Sequence, residues 1–436
     1  MKRISRIGRI GRIGRHLVID LRPLRKSRDL RLLFAGQLVS MLGGQFTTVA
    51  VPYQVYTLTR SSLDVGLVSL ATLLPLIAGG LLGGSLADAV DRRLLLLVSQ
   101  LLCALCAVGL AVNADAGTAL WPLFTLPAAS AGFAVAGESG LSAVLPNLAG
   151  RPDTATVNAM FQALMQFGMV AGPALAGLLL AGAGVRFVYW LDAASLVAAM
   201  LATSLMAAQR PVGTSHSPGL RSIAAGFRHL RGHPVIGGAF LIDINATVFG
   251  GPTAVFPALT TTVFHGGART LGLLYAAPGA GALLGAVATG WVHRVRRQGR
   301  AVIIAVIVWG AAITCFGLAH WLPLALALLA VAGWADVVSA VFRGTIIQLA
   351  APDELRGRLM GAQMAVVTSG PRIGNAESGA VANAFGATTS VVSGGLACIA
   401  GALVLARLLP AFSQQQAPAA AAEAAPAQAS GASSAR

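Results

Sequence analysis

The chain has 436 residues, of which 56% are hydrophobic and 11% charged, and its mean hydropathy is +0.75. These values exclude a soluble globular protein and are typical of a membrane protein with many spans. The net charge of +16 does not indicate nucleic-acid binding, because the basic residues follow a regular pattern along the chain that membrane topology explains.

A basic tail is predicted over residues 1–31, with an arginine at every third position from Arg3 to Arg15. A three-residue step spreads these charges around a helix axis, so the tail makes a poor amphipathic helix. It is interpreted as a disordered tail or an extension upstream of the true start, with a lipid-binding arm as the alternative. The Ala- and Pro-rich residues 411–436 are also predicted to be disordered.

Twelve apolar stretches follow the tail, and each is long enough to cross a bilayer, which takes roughly 20 helical residues for about 30 Å of hydrocarbon. They lie at about 33–57, 65–88, 94–113, 119–146, 156–183, 187–208, 235–263, 271–292, 301–319, 323–348, 359–385 and 388–409. The sequence therefore predicts an all-α polytopic membrane protein with twelve transmembrane helices.

Lysine and arginine are distributed unevenly between the two sides of these spans. Of the 31 basic residues, 26 lie in the tails or the even-numbered loops, whereas the odd-numbered loops hold Arg60, Arg186 and Arg269. The positive-inside rule therefore places both termini and the even loops in the cytoplasm. The basic side is also expected to attract anionic lipid.

A short turn between the second and third spans carries a compact group of charges. Its proposed gating residues are Gly84, Asp88, Asp91, Arg92 and Arg93. Glycine lets a helix end approach its neighbour closely. Asp88 can face the positive N-terminus of another helix, and the two arginines can anchor this end at the membrane interface. The segment therefore indicates a moving joint.

Two halves of the chain repeat one another. Pro152-Asp153 recurs as Pro352-Asp353, and residues 80–83 recur in altered form at 282–285, at offsets of 200 and 202 residues. We therefore predict two six-helix bundles at 32–209 and 235–410, joined by a cytoplasmic linker at 210–234. Parallel repeats of this kind place a binding site near the middle of the membrane.

The turn at residues 83–93 resembles the loop between helices two and three of major facilitator superfamily transporters. Further segments resemble the bacterial exporters of the enterobactin-exporter type: Gln54-Val55-Tyr56, Tyr189-x-x-Asp192-Ala193, Phe249-Gly250-x-Pro252, residues 274–278, Arg343-Gly344-Thr345 and residues 352–358. The resemblance covers about residues 28–410. Ala89 replaces the basic residue usual in the turn, and Asp91 replaces its glycine, so the charge relay of this loop is expected to be weaker here.

The resemblance implies the two-bundle fold of that superfamily and a transporter rather than an enzyme. It implies that Pro352, Asp353, Arg356 and Arg358 form a second part of the cytoplasmic gate. In the fifth span, Gly168, Gly172, Pro173 and Gly177 resemble a motif of proton-coupled exporters. The alternative for this motif is close helix packing with no bearing on the direction of transport.

Seven acidic or basic residues lie inside the predicted spans and away from their last residues, and each costs roughly 2.5 to 3.5 kcal/mol at a helix centre. They are Glu138, Asp192, Asp243, Asp336, Arg343, Arg372 and Glu377. Asp336 and Arg343 share one helix face about 10 Å apart, with Ser339 between them. Arg372 and Glu377 are five residues apart and cannot face the same neighbour. Asp192, near the outer end of its span, is expected to be interfacial.

In the superfamily, the first, fourth, seventh and tenth helices line the central cavity. Glu138, Asp243, Asp336 and Arg343 belong to three of these helices, and the first contributes Gln37, Gln45, Thr47 and Thr48. Burial favours the neutral form of a carboxylate and a nearby arginine favours the ionised form, so movement of the arginine can load or release a proton. We hypothesise that Asp336 or Asp243 carries the proton and that Arg343 modulates it. A permanent ion pair between helices is the alternative.

The sequence thus favours secondary active export of a small amphipathic or siderophore-like molecule by proton antiport. Proton-coupled uptake and a non-transporting membrane sensor are the alternatives. An ATP-driven pump is excluded because the only lysines, Lys2 and Lys26, lie in the N-terminal tail, so no phosphate-binding loop is possible. We expect a monomer in the bacterial cytoplasmic membrane, with protons and a small molecule as partners and no nucleic acid, cofactor or metal site.

Overall fold

The computed structural model of the chain describes residues 22–117, 119–209, 233–288, 295–350 and 353–415. Residues 1–21 of the predicted basic tail, 210–232 of the linker and 416–436 of the C-terminal tail lie outside the described residues, as does Pro352.

Every regular element among the described residues is helical. The helices, numbered in chain order, are α1 (Arg22–Lys26), α2 (Arg28–Thr59), α3 (Ser62–Ala71), α4 (Leu73–Ala89), α5 (Arg92–Ala116), α6 (Trp121–Ser204), α7 (Pro234–Phe249), α8 (Phe256–Thr262), α9 (Ala268–Ala288), α10 (Gln298–Leu318), α11 (Leu322–Ala350), α12 (Asp353–Phe385), α13 (Ala387–Leu408) and α14 (Pro410–Ser413). A 3₁₀ turn, Thr253–Val255, connects α7 to α8.

Helix α6 runs for 84 residues but is broken twice. Gly150 (φ 68°) and Gly184 (φ 79°) have positive φ values that glycine adopts without steric cost. These breaks divide the helix into three arms, α6a (121–149), α6b (151–183) and α6c (185–204). The arms correspond to the fourth, fifth and sixth predicted spans, which are joined by single residues rather than by loops.

Ten helical stretches among the described residues are long and apolar enough to cross a membrane. One of them, Asp153–Ser204, contains both α6b and α6c. Helix α12 has 33 residues but is too polar to be counted, since it carries groups such as Arg372, Asn375 and Glu377. The all-helical, many-span prediction is confirmed, and the total of twelve spans stays a prediction.

The helix bundle has two ends, which we name by a residue at each: the Arg60 end, after α2, and the Arg92 end, before α5. At the Arg60 end a single hydrophobic core combines residues of both halves of the chain, for example Phe46 with Phe256. At the Arg92 end each half has its own core, one containing Leu33 and the other Phe342. The described halves therefore share a core at one end only.

Close helix contacts join the halves at the Arg60 end. A β-carbon on Gly66 of α3 would lie 2.3 Å from the backbone oxygen of Asn375 in α12. A β-carbon on Gly177 of α6b would lie 2.7 Å from the Cα atom of Gly272 in α9. Since side chains at these positions would collide with backbone, the missing side chains are what let the halves meet.

Candidate functional site

A cavity of about 620 Å³ lies between the helices. Most of its wall comes from α2, α3, α5 and the three arms of α6, and it includes the predicted polar residues of the first span: Gln37, Gln45, Thr47 and Thr48. The second half contributes Thr253, Ala254, Tyr275, Pro371, Arg372 and Asn375. Hydroxyl and amide groups alternate with apolar side chains, so the wall suits an amphipathic molecule.

The side chain of Asn375 closes the cavity towards the Arg60 end. Its Oδ1 accepts hydrogen bonds from Thr253 Oγ1 (2.7 Å) and the Ala254 backbone N–H (3.1 Å), and its Nδ2 donates to Ser69 Oγ (3.0 Å). Tyr275 Oη donates to the backbone oxygen of Thr253 (3.1 Å). One amide thus connects α3, α12 and the 3₁₀ turn across the two halves.

Two charged residues from opposite halves face this cavity. Glu138 of α6a is exposed there, and Arg372 of α12 is half-buried. The two interact electrostatically. Arg372 Nε also donates to Thr72 Oγ1 (3.0 Å), and its Nη1 donates to the backbone oxygen of Thr368. Of the six charged residues predicted for the cavity and for proton coupling, Glu138 and Arg372 are the two that line the cavity.

The other predicted coupling residues lie within the second half. Asp243 of α7 and Arg343 of α11 form an ion pair, with Oδ1 and Nη2 2.8 Å apart and side chains only 3% and 4% exposed. Arg343 Nη1 also donates to Ser339 Oγ (2.7 Å). Asp336 is half-buried and interacts electrostatically with both members of the pair. Glu377 is half-buried and is not part of the cavity wall, which agrees with its separation from Arg372 around the helix.

Asp192 is not at an interface, contrary to the expectation from the sequence. It lies two turns inside α6c, is 4% exposed and borders the cavity. Thr47 Oγ1 donates to its Oδ2 (2.5 Å), and Ser195 Oγ donates to its backbone carbonyl (2.7 Å). Its Oδ1 is buried and has no hydrogen-bond partner among the described residues. The sixth span starts before residue 187, where hydropathy placed its start, because α6c follows α6b directly after Gly184. Asp192 therefore lies deeper inside the helix than expected.

The charged turn at the Arg92 end is held within the first half. Asp91 caps α5 by accepting from the backbone N–H groups of Arg93 (2.9 Å) and Gln209 (3.0 Å). Arg92 is 8% exposed and donates to the backbone oxygen of Ala143 (2.9 Å), and Arg93 donates to that of Ser204. Both arginines therefore bind carbonyls near helix C-termini, where cations are favoured.

The remaining gating residues border this turn. Gly84 and Asp88 are half-buried in the last turns of α4. Close approach of α4 to α6a is confirmed one residue earlier, where a β-carbon on Gly83 would lie 2.5 Å from the Cα atom of Ala136. Asp353, Arg356 and Arg358 belong to the first two turns of α12.

Comparison with known proteins decides the family. A family model described as transmembrane secretion effector, a branch of the major facilitator superfamily, matches residues 19–430. The chain belongs to this family. The enterobactin exporters EntS of Citrobacter koseri and of Escherichia coli O1:K1 / APEC are each 30% identical to this transporter over 393 residues. The alignments cover 90% of this chain and 94% and 93% of the two relatives.

Solved structures confirm the fold of this transporter. The nucleoside transporter NupG superposes with a TM-score of 0.69 at 16% identity, covering 88% of this chain and 98% of that one. A POT family transporter in complex with a thioalcohol-conjugated peptide gives a TM-score of 0.71 at 11% identity, covering 88% and 97%. At this level of identity the likeness concerns the major facilitator fold alone.

In this transporter the glycines of the fifth-span motif are packing positions. A β-carbon on Gly168 would lie 2.7 Å from Met41 Cε, and one on Gly172 would lie 2.4 Å from Gln45 Cβ. The same spacing recurs 202 residues later as Gly370, Gly374 and Gly379, with Asn375 in the place of Pro173. Both copies of the motif therefore bring helices together, and the link of the motif to proton-coupled export stays a prediction.

Asn375 was missed by reasoning from the sequence. An uncharged amide costs too little in a membrane to stand out among seven ionisable residues. The repeat of the glycine spacing was the available signal, since it aligns Asn375 with the proline of the first copy.

Proposed function

We propose that this transporter is a secondary active exporter of a small amphipathic or siderophore-like molecule, driven by proton antiport, in the bacterial cytoplasmic membrane. The names of its curated relatives support export of a siderophore, and the distribution of lysine and arginine supports a cytoplasmic Arg92 end with both termini on that side. A monomer contains the whole cavity and is the proposed functional unit.

The observation that carries the proposal is the unequal sharing of hydrophobic cores. The halves are joined by one core at the Arg60 end and have separate cores at the Arg92 end. A cavity closed at one end, between halves that pack independently at the other end, is the geometry that alternating access requires. With the Arg92 end in the cytoplasm, an exported molecule would enter from that side.

Substrate recognition is assigned to the charges on facing walls. Glu138 belongs to the first half and Arg372 to the second, so closure around a bound molecule would change their separation. A molecule that hydrogen-bonds to either group would therefore be sensed by both halves.

The cytoplasmic gate is assigned to the turn and to the start of α12. Asp88 is the carboxylate proposed to face the N-terminus of the eleventh span when the Arg92 end closes. The sequence places that N-terminus near Leu359 and Met360, whereas α12 begins at Asp353. Such an attraction is about 0.3 to 2 kcal/mol, which is small enough for a latch that must also open. Pro352, Asp353, Arg356 and Arg358 would supply the second side of this gate.

Proton coupling is assigned to Asp243, Asp336 and Arg343. Arg343 lies against one carboxylate and interacts with a second, so a shift between them would release one acid to bind a proton. Conformational change between the bundles would drive that shift.

Efflux of enterobactin from proteoliposomes tests the proposal. The chain is inserted in one known orientation, and the proton concentration is made higher on the side that corresponds to the cell exterior. Protons flowing towards the cytoplasmic side should then drive enterobactin to the exterior side, and dissipating the gradient should stop the flux. Asp243→Asn and Asp336→Asn should weaken the pH dependence. Normal pH-dependent efflux by both variants would refute the coupling assignment, and accumulation in the opposite direction would show uptake.

A further inference from the structure

The carboxyl group of Asp192 is buried beside the cavity without a cationic partner. Ion pairs among the described residues join Lys26 with Asp153, Arg186 with Asp115, and Arg343 with Asp243. None of them includes Asp192, although it is as deeply buried as the Asp243–Arg343 pair. An acid in such a place must be neutralised by some other means, because an isolated buried charge is very costly.

The two carboxyl oxygens have different surroundings. Oδ2 accepts the hydrogen bond from Thr47, whereas Oδ1 accepts none from the described residues and is shielded from solvent. The Ser195 hydroxyl beside it donates to the Asp192 backbone carbonyl instead. A charged oxygen that no donor stabilises is unfavourable in the protein interior. A proton on Oδ1 removes the charge from the atom that lacks support.

The space around Oδ1 is small. A β-carbon on Gly43 of α2 would lie 2.7 Å from Oδ1 and 1.9 Å from Ser195 Oγ, so these two side chains fill the room that Gly43 provides. A substrate ammonium group does not fit between such contacts, whereas a proton does. Asp192 belongs to the cavity wall, so the residue lies next to space that water can occupy.

The titratable side chains on the helices packed around Asp192 have hydrogen-bond partners of their own. Helix α2 presents Thr47 and Gly43, which do not titrate. Helix α5 presents Cys103, whose Sγ donates to the Ser130 backbone oxygen (3.6 Å). Within α6c, Tyr189 donates its hydroxyl hydrogen to Gln54 Oε1 (2.8 Å).

The charges of the cavity wall are engaged with each other. Glu138 and Arg372 interact electrostatically, and Arg372 also binds Thr72. The one cationic side chain that the described cavity wall contains is therefore directed to groups other than Asp192.

We propose that Asp192 is a proton-binding site in the first half of the transporter, separate from the Asp243–Arg343 pair. The proton resides on Oδ1, comes from water in the cavity and returns to it. The idea that this proton takes part in transport rests on the proposed antiport. Protonation of Asp192 itself does not depend on that proposal.

Infrared difference spectroscopy of the purified full-length protein, with no substrate added, tests the site directly. At mildly acidic pH the wild-type spectrum should contain a protonated-carboxyl C=O band that Asp192→Asn lacks, and this band should fade as the pH is raised. Asp115→Asn is the matched control, since Asp115 is a surface carboxylate paired with Arg186. Wild-type and Asp192→Asn spectra with equal band intensity would overturn the proposal.

A second variant guards against misfolding of Asp192→Asn. Thr47→Val removes the hydrogen bond to Oδ2 and should shift the same band without abolishing it. An unshifted band would also overturn the assignment. Failure of export is distinguishable, because wild-type vesicles would then release no enterobactin while the band and its loss in Asp192→Asn would persist.

Discussion

The two halves of this transporter bury an acid in different ways. In the second half, Asp243 lies 2.8 Å from the guanidinium group of Arg343, and both side chains are almost completely buried. In the first half, Asp192 is equally buried but has only hydroxyl groups beside it. Arg343 balances the charge of the first acid as long as the pair stays together, whereas the second is proposed to take up a proton, so only the second can change its charge without breaking an ion pair.

The sequence duplication makes this difference more informative. At the offset of 202 residues, Gly43 of α2 corresponds to Asn245 of α7. Asn245 donates to the Cys398 backbone oxygen (2.9 Å) and packs against Gly401 of α13. In the first half the glycine belongs to α2 and its polar partners to α6c, whereas in the second half the polar residue belongs to α7 and the glycine to α13. The halves therefore kept their helix packing while their buried polar groups diverged.

The largest effect is expected from breaking the ion pair. Asp243→Asn leaves the Arg343 charge buried without a counter-charge and should destabilise the protein by about 3 to 5 kcal/mol. Thermal unfolding of the purified protein in detergent measures this loss. Adding Arg343→Gln should restore much of the stability, because no uncompensated charge remains. Equal stability of wild type and Asp243→Asn would contradict the buried pair.

The contact between halves at the Arg60 end should be nearly as sensitive. Gly66→Ala places a methyl group against the backbone oxygen of Asn375, which cannot move aside, and should cost up to about 3 kcal/mol of closure at this end. Distances between spin labels across each end of the bundle should then shift towards opening at the Arg60 end. Gly344→Ala is the control, since nothing lies within 4 Å of a β-carbon there. Unchanged distances in Gly66→Ala would contradict the closure.

A paired substitution sharpens the comparison of the halves. Gly43→Ala meets the flexible hydroxyl end of Ser195, and Gly401→Ala meets the amide of Asn245, each at 1.9 Å. Rotation of the side-chain ends relieves only part of each clash, since Ser195 Cβ and Asn245 Cγ lie 2.8 and 2.7 Å away, so each should cost about 2 kcal/mol, within the range for overpacking. Unfolding in detergent measures both. In Gly43→Ala alone the infrared band assigned to Asp192 should also move, and a matching change in Gly401→Ala would contradict that assignment.

Much of the fold follows from the sequence because hydropathy and charge act over whole spans. The all-helical fold with many membrane spans and the family were predicted correctly from patterns tens of residues long. The break at Gly184 was not, since one residue with positive φ replaces an expected loop and leaves no compositional signal.

The candidate site was less predictable because it depends on helix rotation. Charge alone singled out Asp243 and Arg343 and left a permanent ion pair between helices open. It did not show that the pair lies within the second half, away from the cavity wall. The environment of Asp192 depends on a glycine of a different helix. Only three-dimensional packing brings Gly43 and Asp192 together.

The smallest effect is expected from a surface ion pair, and it separates the influence of burial from that of distance. Lys26 and Asp153 are also 2.8 Å apart, but the lysine side chain is 66% exposed and the aspartate 27%. Water and salt screen such a pair, so Lys26→Ala should cost at most about 1 kcal/mol, against several for Asp243→Asn at the same separation. Thermal unfolding at low and high salt measures both, with Lys26→Arg as the charge-preserving control. Since the distance is identical, a loss for Lys26→Ala as large as that for Asp243→Asn would show that burial does not determine the strength of these pairs.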